Sequence, residues 1–264
     1  MIKFILHSSF FIILTLLTQI GGVVYLLSII IIKRKKQQFR LKRVGVFVLL
    51  YSISTFLLVP GIAPLFGRVK ITNKESINSR TFFTKLLNRN YVSPKMHSAL
   101  TDISLKINKM YPGIQLIYLD ANFPFSDGFP LLPHLSHNDG NKIDISFIYD
   151  DENGRISNLK PSNSGYGFFE KPTKEETNQT EICKNQGYWQ YDYPKYLTLG
   201  TNSKLQFNSK ATKKLIELII NNATTEKVFI EPHLKTRLHL ANSKIRFHGC
   251  KAVRHDDHIH VQVN

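Results

Sequence analysis

The stretch 254–263 near the C-terminus contains three histidines and two aspartates. A β-strand alternates its side chains between two faces, so His258 and His260 point the same way and can share one ion or one substrate. Imidazole nitrogens and carboxylate oxygens are zinc ligands. The stretch therefore indicates a metal site.

A second cluster lies far upstream in the segment 136–144, where His137 and Asp144 are seven positions apart with Gly140 between them. Helical ligand pairs stand three or four residues apart, so this spacing fits a loop. Glycine permits the turn that brings the aspartate back towards the histidine. His137, Asp144 and one histidine of the C-terminal stretch thus form a candidate set of three metal ligands.

Three protein ligands leave a fourth tetrahedral position for water, which distinguishes catalytic zinc from closed structural sites. Zinc lowers the pKa of its bound water from about 15.7 to about 7 and polarises a carbonyl as a Lewis acid. We therefore expect Zn2+ as the cofactor and hydrolysis as the reaction.

The pattern His-x-x-Gly-x-x-x-Asp, followed far downstream by His-Asp-Asp-His-x-His, resembles the penicillin-insensitive murein endopeptidases. These belong to a wider group of zinc peptidases that includes the lysostaphin-type and D-Ala-D-Ala peptidases. The resemblance extends from about residue 91 to the C-terminus. It implies that His137, Asp144 and His260 hold zinc, that His258 is catalytic, and that His255 is a further active-site histidine.

The chain departs from the group at two places. Carboxypeptidases of the group carry an upstream arginine that grips a free carboxylate, and Asn122 stands at that place here, which disfavours a carboxypeptidase. The segment 153–201 has no counterpart. It is rich in Pro, Gly, Asn and aromatic residues, and we interpret it as a wall of the substrate groove, with simple surface packing as the alternative.

Other polar residues near the two clusters are left out of the ligand set. His134 is expected to be solvated or to lie behind the ligands, and His233 and His248 are expected to be structural. Asp256 and Asp257 are expected to orient imidazole rings, because metal-bound histidines usually donate their other N–H to a carboxylate or carbonyl.

Strand parity restricts how His255 can take part. In a regular strand beginning at Arg254, His255 would face away from His258 and His260. Its use in catalysis requires the strand to begin later or to carry a bulge. We therefore expect 254–257 to be a loop.

Two apolar runs precede these clusters. Residues 8–32 contain no charged side chain, and at about 1.5 Å per residue they can cross a hydrocarbon core of about 30 Å. The run 44–66 contains proline and glycine only near its end, which predicts a second helix over 44–58. Residues 1–67 are thus expected to form a transmembrane hairpin. Cleavage as a signal peptide is disfavoured, since the first run is too long and a second span follows.

The loop 33–43 between the runs carries seven positive charges, whereas only Lys3 precedes the first run. The positive-inside rule places this loop in the cytoplasm and both chain ends outside. The rest of the chain has 27 Lys and Arg against 19 Asp and Glu, a net charge of +8. This charge suits an anionic polymer such as cell wall, with a solvated basic surface as the alternative. No nucleic-acid motif is present, so we expect no nucleic-acid partner.

Cys183 and Cys250 are the two cysteines of the chain. Both lie in the part expected outside, where an oxidising compartment permits one disulfide. Two free buried thiols are the alternative, and neither thiol is needed as a nucleophile.

The remaining pattern predicts an α+β fold with an antiparallel sheet and flanking helices over 91–264. The polar segment 68–90 is expected to be a linker or to contain a short helix. Helices are predicted over 93–110, 209–221 and 232–240, and strands over 114–119, 142–149 and 227–230.

These observations predict a zinc peptidase anchored in the bacterial cytoplasmic membrane, with lipid contacts through two N-terminal helices and its domain on the periplasmic or extracellular side. Its expected substrates are peptidoglycan stem peptides, cut at the D-Ala to diaminopimelate cross-link. The alternatives are a D,D- or L,D-carboxypeptidase or amidase of the same group, a non-catalytic zinc-containing wall-binding protein, and a cytoplasmic basic domain on a membrane hairpin.

Overall fold

The computed structural model describes residues 1–33 and 37–264, so the basic loop expected over 33–43 lies partly outside the described residues. Contacts along the chain group it into two units. The first unit comprises Met1–Ile71, Phe83–Pro94 and Asn122–Gly140. The second comprises Thr72–Phe82, Lys95–Ala121 and Asn141–Asn264.

Helices and strands alternate irregularly along the described chain. The α-helices are α1 Ile2–Thr18, α2 Gly21–Ile31, α3 Phe39–Ile53, α4 Val59–Ile62, α5 Phe82–Leu86, α6 Pro94–Met110, α7 Gln179–Asn185, α8 Ser209–Asn221 and α9 Pro232–Arg237. A π-helical turn covers Ser54–Leu58, and 3-10 helices cover Ala63–Phe66 and Trp189–Tyr196. The strands are β1 Val69–Lys70, β2 Ile77–Ser79, β3 Tyr91–Val92, β4 Leu116–Asp120, β5 Lys142–Ser146, β6 Tyr149–Asp150, β7 Ile156–Ser157, β8 Gln206–Phe207, β9 Thr225–Phe229, β10 Ile245–Arg246 and β11 His258–Val263.

The second unit contains a six-stranded sheet in the order β10-β9-β11-β5-β4-β2. The four central strands, from β9 to β4, pair with one another in the antiparallel direction, as expected. The two edge strands, β10 and β2, are parallel to their partners, so the predicted antiparallel sheet is confirmed at its centre and wrong at its edges. The cause is topological: α9 connects β9 to β10 and α6 lies between β2 and β4 in the chain, and a helical crossover returns a strand in the parallel direction.

The spacing of apolar residues explains the two longest helices of the second unit, α6 and α8. Helix α6 begins at Pro94 and buries Met96, Leu100, Ile103 and Ile107, which recur at helical spacing. Burying each such side chain contributes about 1.5–3 kcal/mol relative to leaving it exposed. Helix α8 is capped by the Asn208 side chain, which accepts a hydrogen bond from the backbone N–H of Ala211. Both helices confirm the sequence prediction.

The first unit departs from the predicted pair of membrane spans. The continuous span expected over 8–32 is not formed, because the chain turns at Gln19, whose φ is +67°. Helices α1 and α2 therefore form a tight helical hairpin. A Cβ on Gly22 would lie 2.6 Å from the carbonyl oxygen of Phe11, so only glycine permits this approach. At about 1.5 Å per residue, the 11 residues of α2 are too short to cross a bilayer.

The second apolar run forms a longer helix than predicted. Helical geometry continues over 28 residues from Phe39 to Phe66, and its most apolar stretch of 18 residues has a mean hydropathy of 2.1. Among the described residues it is the one helix long and apolar enough to cross a membrane. The predicted end at residue 58 is wrong because a π-turn over Ser54–Leu58 precedes Pro60. The wider turn accommodates a proline that lacks an N–H donor.

Other parts of the first unit pack against the end of this helix. Val59, Ala63 and Tyr91 form a buried cluster, against which Ile20 and Phe125 pack. Gln19 accepts a hydrogen bond from the backbone N–H of Phe125 through its side-chain oxygen. The polar stretch 68–90, expected as a linker or short helix, contains strands β1 and β2 and helix α5.

Cys183 and Cys250 form a disulfide, with their Cα atoms 5.2 Å apart. The bond connects α7 to the chain just before the C-terminal cluster. It thereby ties part of the segment 153–201 to the strand that carries His258 and His260.

We expect the Cys183→Ala/Cys250→Ala double variant to unfold with a free energy lower by about 4 kcal/mol, because the bond closes a loop of 67 residues and restricts the unfolded chain. Guanidinium unfolding followed by circular dichroism measures the change. The unmutated chain under reducing conditions is the control and should unfold with the double variant. Equal stability of the oxidised chain and the double variant would contradict the expectation.

Candidate metal centre

Two neighbouring strands at the middle of the sheet carry Asp144 and His260. The residues are register partners on β5 and β11, and all of β11 is buried. Nδ1 of His260 lies 2.8 Å from Oδ1 of Asp144. Nε2 of His260 is 3.1 Å from the side-chain nitrogen of Gln262. The sheet therefore sets the distance between the carboxylate and the imidazole through backbone pairing.

The loop before β5 supplies His137, which is buried with 1% of its surface exposed. Gly140 ends this loop with a φ of +80°, and a Cβ there would lie 2.8 Å from the guanidinium carbon of Arg68. Its N–H donates to the side-chain oxygen of Asn122. The sequence prediction that Gly140 permits a turn is confirmed, and Asn122 holds that turn.

His137, Asp144 and His260 offer one ligand atom each, and these three atoms lie within 4.8 Å of one another. All three residues are buried. The arrangement fits a metal ion, since two imidazoles and one carboxylate are the donor types of catalytic zinc sites and this separation matches ligands around one ion. His137, Asp144 and His260 would hold the ion.

His258 stands beside this triad. Its Nε2 is 3.6 Å from Oδ1 of Asp144, and its Nδ1 is 2.5 Å from Oδ1 of Asp257. Burial lowers the pKa of His258, but the carboxylates of Asp144 and Asp257 outweigh burial and raise it to about 9. Asp257 also accepts a hydrogen bond from the backbone N–H of Gly167. Asp257 thus orients the imidazole of His258, as the sequence predicts.

His255 lies in the irregular stretch before β11, which begins at His258, so the predicted loop over 254–257 is confirmed. Its ring centre is 4.9 Å from that of His258 and 5.7 Å from that of His260. Burial, with the charge of the neighbouring imidazoles, holds the pKa of His255 well below its usual range. The loop therefore brings His255 to the same cluster as the strand histidines.

Glu231 fixes the backbone of His255. Its side chain accepts a hydrogen bond from the His255 N–H at 2.9 Å and another from the Tyr191 hydroxyl at 2.6 Å. Its own N–H donates to the His255 carbonyl. Burial raises the pKa of Glu231 to about 7. A buried carboxyl with these partners is a positioning group for the loop.

Arg254 forms a buried ion-pair network on the other side of this loop. It donates two hydrogen bonds to Asp256, at 2.7 and 2.5 Å, and one to Asp192 at 2.9 Å. Its guanidinium also lies 3.8 Å from the ring centre of Phe169. Two hydrogen-bonded carboxylates raise the pKa of Arg254, although burial opposes them. The expectation that Asp256 orients a metal-bound imidazole is wrong, because its carboxylate binds Arg254 and the imidazole that it approaches is that of His233, whose Nε2 is 3.9 Å from Oδ2.

Tyr166 is a site residue that the sequence interpretation missed. Its hydroxyl donates to Oδ2 of Asp144 at 2.8 Å, and its ring meets the His258 ring edge-on. The flanking Gly165 and Gly167 have φ values of +95° and +79°. The Gly-Tyr-Gly sequence was the available signal, since two glycines free the backbone to turn a tyrosine inward.

We expect Tyr166→Phe to weaken zinc binding about 10-fold, because loss of a hydrogen bond to a ligand carboxylate commonly costs 10–100-fold in metal affinity. Competition against a chromogenic chelator measures the affinity. Tyr196→Phe is the matched control, since Tyr196 is 72% exposed. Equal zinc affinity in the Tyr166 variant and the unmutated chain would refute a role for this hydroxyl.

Three further histidines singled out in the sequence lie outside the triad. His134 has its ring centre 5.5 Å from that of His137. His233 bonds through Nε2 to the Glu170 carbonyl oxygen at 2.7 Å. The ring centre of His248 lies 4.2 Å from that of Phe229, with the ring planes tilted by 40°.

Comparison with known proteins adds nothing to these observations: no protein-family model matches the chain, and no curated protein matches it.

Proposed function

We propose that the protein is a zinc peptidase that hydrolyses peptide cross-links of peptidoglycan. The observation that carries the proposal is the buried group of His137, Asp144 and His260, with His258 beside the carboxylate. The resemblance of both motifs to the murein endopeptidases supplies the substrate class. D-Ala to diaminopimelate is the bond that this resemblance favours.

Zinc, when bound, supplies a Lewis acid and lowers the pKa of a water molecule. His258 is placed to move the proton. Asp257 holds its Nδ1, and because the pKa of His258 is raised to about 9, the protonated ring can give its Nε2 proton to the leaving amine. His255 is close enough to the His258 ring to donate a hydrogen bond to the substrate oxygen on which charge develops.

The proposed location is the outer side of a bacterial cytoplasmic membrane. The helix Phe39–Phe66 crosses the bilayer, with the basic residues at its start in the cytoplasm. The disulfide supports an oxidising compartment for the domain. Because α1 and α2 form a tight hairpin before a single crossing helix, this arrangement puts the N-terminus on the cytoplasmic side, opposite to the expectation from two spans.

Digestion of purified, cross-linked muropeptides with the full-length protein in detergent tests the proposal. Mass spectrometry should show that cross-linked dimers are converted to monomers, and removal of zinc with a chelator should stop the conversion. Monomers shortened by one residue would instead identify a carboxypeptidase. Intact dimers and monomers after digestion with the zinc-loaded protein would favour a wall-binding protein.

A further inference from the structure

A cavity of about 510 Å³ lies in the first unit, where the first, second and third helices meet. The residues around it are Lys3, Leu6, His7, Phe10, Tyr25, Phe39, Arg40 and Arg43. It lies at the end of the helices where the chain is basic. None of its lining residues takes part in the candidate metal centre. Its volume is in the range of small-molecule sites.

One wall of the cavity is a single face of α1. Its four lining residues run from Lys3 to Phe10 at spacings of three, four and seven positions, so they stand in one row along the helix. Nδ1 of His7 lies 2.6 Å from the Tyr25 hydroxyl of α2, and the Phe10 ring centre is 5.9 Å from that of Tyr25. This wall is therefore apolar along its length and cationic at the Lys3 end.

The opposite wall is the first turn of α3, where two guanidinium groups share one aromatic ring. The guanidinium carbons of Arg40 and Arg43 lie 5.9 and 5.2 Å from the ring centre of Phe39. Arg43 also donates from Nε to the carbonyl oxygen of Ile32 at 2.8 Å, where α2 ends. These contacts hold the half-buried Arg43 at the cavity and the exposed Arg40 at its edge.

The charge around the cavity is of one sign. Lys3, Arg40 and Arg43 line it, and no aspartate or glutamate occurs in the sequence before Glu75. An anionic ligand would balance the three cations that line the cavity. The aromatic and aliphatic lining suits a ligand that also carries an apolar portion.

We propose that this cavity binds one anionic phospholipid, with its phosphodiester at Lys3, Arg40 and Arg43 and the start of an acyl chain against Leu6, Phe10 and Tyr25. The inference rests on the proposed membrane location and is independent of the hydrolytic step. Basic residues next to a membrane helix attract anionic headgroups. The cavity adds a specific place at which one such lipid is held.

Native mass spectrometry of the full-length protein, released from nanodiscs of phosphatidylglycerol or of phosphatidylcholine, tests the inference. We expect one phosphatidylglycerol to be retained at least ten times more often than phosphatidylcholine. The Arg40→Gln/Arg43→Gln variant should lose this retention about ten-fold. Lys33→Gln/Lys42→Gln is the matched control: it removes the same charge from the same stretch, but neither residue lines the cavity, and its retention should change less than two-fold.

Three outcomes would overturn the inference. Equal losses in the two double variants would mean a diffuse electrostatic attraction. Equal retention of the two lipids would mean an apolar cavity without headgroup selectivity. Displacement of the lipid by 10 mM inorganic phosphate would mean a site for a free anion. Muropeptide digestion with the same preparations separates the two proposals, because lipid retention uses no wall substrate and hydrolysis can persist when retention is lost.

Discussion

Replacing His258 with alanine is expected to lower muropeptide hydrolysis about 1000-fold while zinc remains bound. General acid–base catalysis contributes about 10²–10⁴-fold, and His258 is the imidazole placed to move the proton. Its ring lies between Asp257 at 2.5 Å and Asp144 at 3.6 Å, so it is fixed beside the triad without belonging to it. Chromatography of the digest gives the initial rate of hydrolysis, and elemental analysis gives the zinc content.

A matched histidine variant controls for this experiment. His97 lies on α6 and is partly exposed, so His97→Ala should keep the full rate and the full zinc content. Hydrolysis at the unmutated rate by the His258 variant would remove this residue from the mechanism. Loss of zinc in that variant would instead make His258 a ligand and overturn its assignment as the proton carrier.

Asp144→Asn is expected to weaken zinc binding by at least about 100-fold. An amide presents one neutral oxygen and a nitrogen that cannot ligate, whereas the carboxylate supplies the negative donor of the triad. Loss of an outer partner already costs 10–100-fold, and loss of a direct ligand costs more. Chelator competition measures the affinity, and the near-isosteric side chain keeps the buried volume.

The control for Asp144→Asn is Asp102→Asn. Asp102 is an exposed carboxylate that accepts from Lys106 one helical turn away, an interaction worth about 0.3–0.5 kcal/mol. This variant should bind zinc as the unmutated chain does. Zinc affinity that is unchanged in the Asp144 variant would mean that the ion, if bound, is held elsewhere, and the proposed peptidase would lose its basis.

The metal triad was predictable because each of its members carries a local signal. A glycine between His137 and Asp144 marks a turn, and alternation along a strand puts His258 and His260 on one face. The structure confirms both patterns and brings the two distant stretches together through pairing of β5 with β11. Residue types and spacing therefore predicted His137, Asp144 and a histidine of the last strand, and the resemblance selected His260 over His258.

The partners behind the triad were not predictable in the same way. Tyr166 reaches Asp144 across 22 positions, and Glu231 reaches His255 across 24. Neither spacing belongs to a helix or a strand, so only the tertiary fold brings these pairs together. Asp256 was expected to orient an imidazole because metal-bound histidines usually donate to a carboxylate, but the buried charge of Arg254 binds it.

The apolar N-terminal part was predicted from composition, and its geometry was not. Hydropathy measures the length of an apolar run but is insensitive to a left-handed residue such as Gln19 that divides it. Likewise, a proline after a π-turn does not end a helix, so the helix continues past Pro60 to Phe66 instead of ending at residue 58. The parallel direction of the two edge strands could not be predicted from local sequence either, because it depends on the segment that connects each strand to its partner.

The packing of Phe125 against Val59 and Ala63 limits how far the loop that bears His137 can travel. This loop packs against the C-terminal end of the apolar helix within one compact unit, and in the part of the chain that the structure describes no long flexible linker separates the two. Under the proposed function, this packing would keep His137 close to the membrane, so hydrolysis would be confined to the part of the wall nearest the lipid. The outer layers of the wall would then be protected by distance alone.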